Sequence, residues 1–486
     1  MPIGVVVLAA VVMVGLRLWW IRRVPFVFDE PIFLDAARRQ LESGHWLSAS
    51  PIEGTQGIRY GPSVFWFYSG LQWLFGYGPQ VAVVAMCVLT TVTQTWLVAG
   101  LARVVGGGRR TFFVLLAFVA SSPYLYFWSR LAWDQTVLVC AAASVAVLCT
   151  ARELRWRHGL ALGFLLGVAV SSHLMVLPFV GAVIVVLLWE MRRVASEAVR
   201  VVGTLVAALV CVNLPYLRYL LTNPTHPASP GLRLGGYAET LWQTPSIVSA
   251  VRIEYFFDDE WSHFVSSSGV LRGALWLRVL AGVVCSVVAV VGLASAWSSS
   301  DVRRRRVARC ATLTWAGSAA FFVLQGVGAE PHYQFAIWWV VPAGMALAID
   351  RLRALSWWRA PSLATMGAIT MVNLVVLGSW ISYTSDRSGT RGIHFGSTLD
   401  AQSELVDELC GLAHPVLVQN RTQVFQRSLE YLMSVDPDCA TSDVRFCTVD
   451  CSVSSPDRLR LSIVYGPRGS AALELASVGP VVSGPP

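Results

Sequence analysis

Two neighbouring carboxylates, Asp29 and Glu30, follow the first apolar stretch of the chain, which covers residues 3–20. A carboxylate at a membrane surface can take a proton from the hydroxyl group of an acceptor, which is general-base chemistry. The pair therefore indicates a reaction on a lipid-borne substrate, provided that the rest of the chain places it at the outer edge of a membrane.

The composition identifies the class of protein. Hydrophobic residues make up 55% of the 486 positions and charged residues only 14%, which is too apolar for one soluble core with a wettable surface. We therefore expect an all-α polytopic membrane protein. The net charge of +8 is explained by the arginine-rich loops that membrane insertion requires, so no nucleic-acid partner is expected.

Crossing roughly 30 Å of hydrocarbon takes about 20 apolar residues in a helix. The sequence contains eleven candidate spans, and the fifth and sixth are short enough to form a helical hairpin. They lie near residues 3–20, 80–102, 111–128, 135–150, 159–172, 174–190, 199–218, 275–297, 311–328, 334–350 and 362–381.

Arginines indicate the orientation, because basic loops stay in the cytoplasm. They cluster in alternate loops, near residues 103–110, 152–157, 192–200, 303–309 and 351–359. The N-terminus is therefore predicted to be cytoplasmic, although Arg22 and Arg23 directly after the first span favour the opposite. The segments predicted to lie outside are the loops 21–79, 129–134, 218–274 and 329–333 and the tail from residue 382.

The first outer loop contains the patterns of two juxtamembrane helices. The segment from Pro31 to Glu42 has one apolar side and one charged side and is closed by Gly44, which is typical of a helix lying along a membrane surface. A second helix is predicted to begin at Pro62, a residue favoured in the first helical turn, and to continue through aromatic residues to Gly76.

The tail differs in composition from the rest of the chain. Residues 382–486 are polar and mixed in charge, so we divide the chain into a transmembrane domain, 1–381, and a small extracytoplasmic α/β or α+β domain. Residues 398–412 have the apolar spacing of a helix, and residues 416–418 and 459–465 are predicted strands.

Four cysteines lie in this tail: Cys410, Cys439, Cys447 and Cys451. An even set in an oxidising compartment predicts two disulfides, for which three pairings are possible. A zinc site is the alternative reading of the same residues.

The order of four features along the chain resembles the GT-C superfamily of polyprenyl-phosphate-sugar glycosyltransferases. Within it, the chain looks similar to the bacterial, family 39-like branch related to protein O-mannosyltransferases and to the lipid A aminoarabinose and galacturonic acid transferases. The resemblance covers about residues 1–350. The features are the outer Asp29-Glu30 pair, Arg59 ahead of Gly61-Pro62, the segment from Phe127 to Asp134 with Arg130, and Pro331-His332-Tyr333.

The resemblance implies an inverting transfer of a hexose or pentose from a polyprenyl phosphate to a lipid, glycan or protein acceptor outside the bacterial inner membrane. By position Asp29 is the base, while Arg59 and Arg130 are the predicted phosphate ligands, because a guanidinium binds phosphate in a bidentate way. The residues predicted to support the site are Glu30, Asp134, His332 and Tyr333.

No cofactor is predicted, because a monophosphate donor can react without a metal ion. Three acids at residues 258–260, followed by His263, leave a divalent cation as an open alternative.

Each candidate also has a structural alternative. Asp29 or Glu30 can cap the helix that begins near Pro31, and Asp134 can cap the fourth span. The remaining alternatives are a salt bridge of Arg59 with Glu53, a headgroup contact of Arg130 and an interfacial hydrogen bond of His332.

Two other functions fit a chain with many spans. One is a transporter or flippase of a lipid-linked glycan, and the other is a surface-polysaccharide ligase or polymerase with a diphosphate-linked donor. Transporters tend to carry repeats or charges near midspan, whereas the polar residues of this chain gather at the predicted outer face, which favours the enzyme.

Overall fold

The computed structural model describes residues 2–477 with internal gaps, and the described part is mostly helical, with one small sheet near its end. The gaps are residues 20, 27–28, 55–56, 193, 225–231, 250–252, 258–259, 268, 327, 329, 354–358, 391–394, 413–414, 421–425, 448–458 and 466–472.

The α-helices are numbered in chain order. They are α1 Ile3–Leu18, α2 Asp29–Ser43, α3 Ser63–Phe75, α4 Pro79–Val104, α5 Arg109–Ala120, α6 Pro123–Trp128, α7 Thr136–Thr150, α8 Trp156–Ser172, α9 Leu177–Met191, α10 Ala195–Thr222, α11 Gly235–Ser249, α12 Trp261–Ser266, α13 Gly269–Ala296, α14 Val302–Gln325, α15 Val340–Arg353, α16 Arg359–Asp386, α17 Leu399–Cys410 and α18 Gln426–Val435.

Six helices of the described residues are long and apolar enough to cross a membrane. The other expected spans coincide with shorter helices, among them α1, α7 and α15, so the number eleven stays a prediction. The six are Pro79–Val104, Leu174–Met191, Ala195–Thr222, Arg272–Ala296, Val302–Gln325 and Ala364–Asp386.

The third expected span, residues 111–128, consists of two helices rather than one. The first ends at Ala120, and the second begins at Pro123. Proline has no backbone N–H to donate inside a helix, and the Ser122 hydroxyl caps the new helix by accepting a hydrogen bond from the backbone N–H of Leu125 at 3.2 Å. The break brings the following loop, residues 129–134, into the interior.

Both predicted juxtamembrane helices are present as α2 and α3. Gly44 and Gly76, which follow them, have φ of +69° and +87°, values that favour glycine. Gly61 lies against α8, because a Cβ there would stand 2.4 Å from the Ser171 Oγ and 2.9 Å from its Cα. The Ser171 Oγ also accepts a hydrogen bond from the backbone N–H of Ser63 at 3.1 Å.

Helix α11 lies in the loop 218–274, where no helix was expected. Its inner side is polar but buried, and its hydroxyl groups donate to carbonyls one turn earlier, as Thr240 does to Gly236 and Thr244 to Thr240. Because these bonds satisfy the hydroxyls locally, a polar helix can pack inside the protein without an apolar pattern in its sequence.

The tail contains a four-stranded sheet with its helices, in the order β2-β1-β3-β4. Strand β1 pairs in parallel with β2 and β3, and β4 is antiparallel to β3. The strands are β1 Val416–Asn420, β2 Val444–Cys447, β3 Leu459–Tyr465 and β4 Leu473–Ser477.

One disulfide joins Cys410, at the end of α17, to Cys439. Cys451 and the side chain of Cys447 lie outside the described residues.

The tail packs directly on the first outer loop. The backbone N–H of Leu399 donates to the Val24 carbonyl at 2.8 Å, and the Phe26 carbonyl accepts from Gln402 at 3.0 Å and from Ser428 at 2.7 Å. Apolar residues of α2 and α3 share one core with those of α17 and α18. The tail is therefore part of the surroundings of Asp29.

Arginines of the predicted inner loops gather at one end of the helix bundle. Buried Glu190 accepts from Arg305 at 3.2 Å and from Arg306 at 3.3 Å. Arginines of the same run also bind carbonyls at the ends of other helices, those of Val104, Leu148 and Ala151. This cluster fastens several helix ends together and is separate from the site described next.

Candidate active site

Asp29 occupies the first turn of α2, where the helix dipole favours a negative charge. It is half-buried, and this burial raises the pKa of its carboxyl group. The positive charge of Arg427 and a hydrogen bond from the Trp133 side chain act in the opposite direction. Asp29 is thus a partly desolvated carboxylate that has retained two stabilising neighbours.

Asp134 is the second carboxyl group of the site and is 4% exposed. Burial, and then the negative charge of Asp29, hold its pKa well above the ordinary value. Two carboxyl groups with such different surroundings take different protonation states. The pKa of Asp134 is thus raised more strongly than that of Asp29, so of the two groups Asp134 is the one that holds a proton more readily.

His173 faces Asp134, with its Nε2 atom 4.0 Å from Oδ2. Burial lowers the pKa of His173 to about 4, so the pair is not a salt bridge between charged groups. The His173 Nδ1 atom accepts a hydrogen bond from the Met175 backbone N–H at 3.2 Å, which places the ring proton on Nε2 and directs it towards Asp134.

Aromatic rings form a wall around the two acids. Tyr60 stacks on His173 with ring centroids 4.7 Å apart, and Tyr333 lies 5.7 Å from the same ring. Burial raises the pKa of Tyr60, as do the charges of Asp134 and Asp29, so this phenol stays protonated beside both carboxyl groups.

His332 and Tyr333 continue this wall. Their ring centroids are 3.9 Å apart, and the His332 ring lies 5.6 Å from that of Trp133. The His332 Nδ1 atom also forms a 2.9 Å hydrogen bond with the Tyr255 hydroxyl. The loop near residue 332 and the loop near residue 133 therefore meet, as their shared predicted location outside requires.

Glu30 braces the loop that carries Trp133 and Asp134. It is buried, and its Oε1 atom accepts a hydrogen bond from the Ala132 backbone N–H at 2.7 Å. The Tyr68 hydroxyl donates to the Trp133 carbonyl, also at 2.7 Å. Helices α2 and α3 thus hold this loop in place beside Asp29.

Arg130 lies at the start of the same loop and points into the protein. It is 2% exposed, and its guanidinium lies 4.2 Å from the centre of the Tyr126 ring. Arg17, near the end of α1, is equally buried and close enough for the two positive charges to repel each other. Two buried positive charges that repel each other make this part of the interior favourable for an anion.

The described partners of Arg17 are neutral. Its Nη1 atom donates to the Thr91 hydroxyl at 3.1 Å and to the Gln94 amide oxygen at 2.8 Å. Its Nε atom is buried, and no acceptor for it lies in the part of the chain that the structure describes. Arg17 is thus a cation with one spare buried donor.

Arg59 is exposed to a greater degree and has a carboxylate of its own. Its Nη2 atom lies 3.1 Å from Glu53 Oε1, which is the alternative that the sequence left open. The Arg59 carbonyl accepts a hydrogen bond from the Tyr216 hydroxyl at 2.5 Å. The structure therefore places Arg59 in a surface salt bridge, whereas Arg130 lies beside Arg17.

Sequence reasoning missed four members of this site: Arg17, Tyr60, His173 and Arg427. Arg17 carried a signal, since an ionisable residue within an apolar span is by default a functional candidate. His173 carried one too, because a hairpin of two short spans places its turn at the outer face. Nothing in the sequence connected Arg427 with Asp29.

The family model for dolichyl-phosphate-mannose-protein mannosyltransferases matches residues 59–216, about a third of the chain. This match confirms the resemblance to polyprenyl-phosphate-sugar glycosyltransferases that the motifs indicated. It includes Arg130, Asp134 and His173 and begins after Asp29. No curated protein sequence matches the chain.

Three solved structures are similar in shape at low identity. ArnT from Cupriavidus metallidurans in the apo state has a TM-score of 0.46 at 14% identity, over 93% of this chain and 86% of that one. ArnT from the same organism bound to undecaprenyl phosphate has 0.45 at 13%, over 95% and 93%. Arabinofuranosyltransferase AftD from Mycobacteria has 0.48 at 13%, over 86% of this chain and 29% of AftD.

Proposed function

We propose that this chain is a membrane glycosyltransferase that moves a sugar from a polyprenyl phosphate to a hydroxyl group of a lipid, glycan or protein acceptor. The observation that carries the proposal is the half-buried Asp29 acting on a buried acid, Asp134, whose loop begins next to the buried cation Arg130. The match of residues 59–216 to a mannosyltransferase family supports it.

The reaction takes place at the outer face of a bacterial plasma membrane, with the tail 382–486 as an extracytoplasmic domain. Two observations support this orientation. The arginine-rich loops near Glu190 gather at one end of the bundle. The loops near Asp29, Asp134 and His332, all predicted to lie outside, meet in one site.

Asp29 acts as the general base. Its carboxylate takes the proton of the acceptor hydroxyl while the acceptor oxygen attacks the anomeric carbon, and the bond from that carbon to the phosphate oxygen breaks with its electron pair on the phosphate. Attack from the side opposite to the phosphate inverts the anomeric centre. Polyprenyl phosphate leaves, and the proton held by Asp29 is released to solvent before the next cycle.

The departing phosphate binds to Arg130 and Arg17. Their repulsion and burial are relieved by an anion, and charge-assisted hydrogen bonds to phosphate are strong in such surroundings. Arg130 and Asp134 are four positions apart in the chain, so their Cα atoms lie within about 14 Å of each other, a span that a sugar and its phosphate can bridge. Arg59, engaged by Glu53, is not assigned to the phosphate.

Asp134 remains protonated through this cycle and donates a hydrogen bond rather than competing for the proton. A second carboxylate would oppose the approach of an acceptor oxygen that gains negative charge. Burial and the negative charge of Asp29 favour this neutral form of Asp134.

The test is Asp29→Asn in membranes supplied with a panel of labelled polyprenyl-phosphate sugars. We expect transfer to fall at least about 100-fold, the usual contribution of a general base. Asp407→Asn, the same change on the exposed surface of α17, is the control and should keep the wild-type rate. Wild-type transfer by Asp29→Asn removes Asp29 as the base, and absence of transfer by the wild-type chain from every donor refutes the proposed function.

A further inference from the structure

A cavity of about 400 Å³ lies between α2 and α18, at the junction of the first outer loop and the tail. It begins at Pro31, two residues after Asp29, and is open on one side to solvent. Its lining is Pro31, Ile32, Asp35, Arg38, Arg39, Arg427, Glu430, Tyr431 and Ser434. Asp29 is not part of this lining, but the charge of one lining residue, Arg427, acts on its carboxyl group.

The side of this cavity that belongs to the tail is firmly held. The Tyr431 hydroxyl donates to the Tyr77 carbonyl at 2.6 Å and accepts from Gln72 at 3.2 Å. The Ser428 hydroxyl donates to the Phe26 carbonyl at 2.7 Å. Because these partners come from the first outer loop, α18 has a fixed position relative to α2 and the cavity is pre-formed.

Most charges of the lining are already paired. Asp35 accepts hydrogen bonds from both Arg38 and Arg39, and Glu430 accepts one from Gln426 at 2.7 Å. The exposed guanidinium of Arg427 makes no hydrogen bond or salt bridge within the described residues, and its charge acts on Asp29. The cavity therefore offers one available cation close to the base.

We propose that this cavity is the acceptor subsite and that Arg427 binds an anionic group, a phosphate or carboxylate, of an acceptor whose hydroxyl then reaches Asp29. The proposal rests on the proposed function, since it assigns the second substrate of the same reaction. Neutral acceptors lack the group that Arg427 would bind, so the subsite favours anionic lipids or glycans. The tail would then select the acceptor, and the transmembrane part would bind the donor.

The test uses the full chain in membranes, with sugar transfer measured as the endogenous acceptor is diluted into vesicles of phosphatidylcholine. We expect Arg427→Gln to raise the KM for acceptor at least about 10-fold, the factor that one charge-assisted hydrogen bond supplies, and to leave the KM for donor unchanged. Arg445→Gln is the matched control, because Arg445 is an exposed arginine of the same domain that pairs with Asp443. Ser434→Trp, which fills the cavity without removing a charge, should also raise the KM for acceptor.

Inorganic phosphate serves as the probe for the anionic group, with sodium chloride at the same ionic strength as reference. In the wild type it should inhibit competitively against the acceptor, and Arg427→Gln should abolish that inhibition. Inhibition that competes only with the donor, or an acceptor KM within twofold of wild type for Arg427→Gln and Ser434→Trp, overturns the proposal. Because these outcomes all require transfer by the wild-type chain, they are distinguishable from failure of the proposed function itself.

Discussion

Asp134→Asn separates the two carboxyl groups experimentally. An amide resembles the protonated acid in shape and carries no charge, so the substitution reproduces the protonated state that we propose for Asp134, whose pKa is raised by burial and by the charge of Asp29. Asp29 then keeps the same electrostatic surroundings. We expect the acid limb of the pH–rate profile, which reports ionisation of the base, to stay where it is in the wild type.

The size of the alternative outcome follows from Coulomb's law. Two unit charges about 6 Å apart at an effective dielectric constant of about 20 interact with about 3 kcal/mol, equal to about 2 pKa units. If Asp134 were ionised in the working enzyme, it would raise the pKa of Asp29, and its removal would move the acid limb down by about that amount. An acid limb at the wild-type pH and an acid limb displaced by about 2 pH units are easily distinguished.

The assay is kcat/KM for transfer, measured from about pH 4 to about pH 9, because this quantity reports the free enzyme. The alkaline limb supplies a second reading. Deprotonation of Asp134 at high pH in the wild type places a second negative charge beside Asp29, so Asp134→Asn should lose that limb. An acid limb lowered by one pH unit or more, or an alkaline limb unaltered by the substitution, refutes the assignment of Asp134 as the protonated acid.

Three further predictions concern the cations and the supports of the site. Arg17→Gln should raise the KM for donor about 10-fold to 100-fold, the equivalent of a charge-assisted hydrogen bond of about 1.5–3 kcal/mol. Arg59→Gln should change this KM less than about twofold, because an exposed ion pair contributes little. Equal effects of the two substitutions would contradict the assignment of the phosphate to Arg17 and Arg130. Glu30→Ala leaves a buried backbone N–H without its acceptor and should lower the free energy of unfolding by about 1–3 kcal/mol. The measurement is the Tm of the detergent-solubilised protein, which should fall. An unchanged Tm would mean that Glu30 does not stabilise the loop of Asp134. Gly61→Ala places a methyl group 2.4 Å from the Ser171 Oγ and should lower the free energy of unfolding by about 1–3 kcal/mol. Adding Ser171→Gly should recover part of this stability. Unchanged stability of Gly61→Ala would mean that the close approach of Gly61 to α8 is absent.

Apolar length sufficed to anticipate the positions of most helices in residues 1–381, whereas the orientation indicated by arginine placement stays a prediction. Helices occur at all the expected spans because burial in hydrocarbon satisfies the backbone only within helices. The exceptions were residues 335–339, which form turns before α15, and the break at Pro123, where proline lacks a backbone N–H. Helix α11 was not predicted, because its buried side is lined by hydroxyl groups that donate hydrogen bonds to the backbone of the same helix. A hydropathy pattern does not indicate that such polar residues are buried.

The site was anticipated only where its residues stand next to a recognisable element. Asp29, Glu30 and Asp134 adjoin helix starts, and His332 adjoins a span, so their loops could be assigned to one face. Contacts between segments that are far apart in the chain leave no pattern in the sequence near either residue. The pairing of Arg59 with Glu53 is short-range and was one of the stated alternatives, whereas the approach of Arg427 to Asp29 depends on how the tail folds back.

Strands β1 and β3 were expected from their apolar runs, but α18 and two strands were not. Helix α18 is only ten residues long, and its apolar residues, such as Leu429 and Leu432, face α2 and the sheet only after the tail has docked. Short elements of this kind are stabilised by their neighbours rather than by their own propensity.

The Phe26 carbonyl binds Ser428, 402 residues later in the chain. A nascent polypeptide therefore inserts most of its helices before the partner of its first outer loop has been translated. Until α18 has been translated and has docked, the cavity next to α2 lacks one of its walls. Premature termination near residue 400 would leave the helix bundle without α18, and the acceptor subsite that we propose would then lack the wall that carries Arg427.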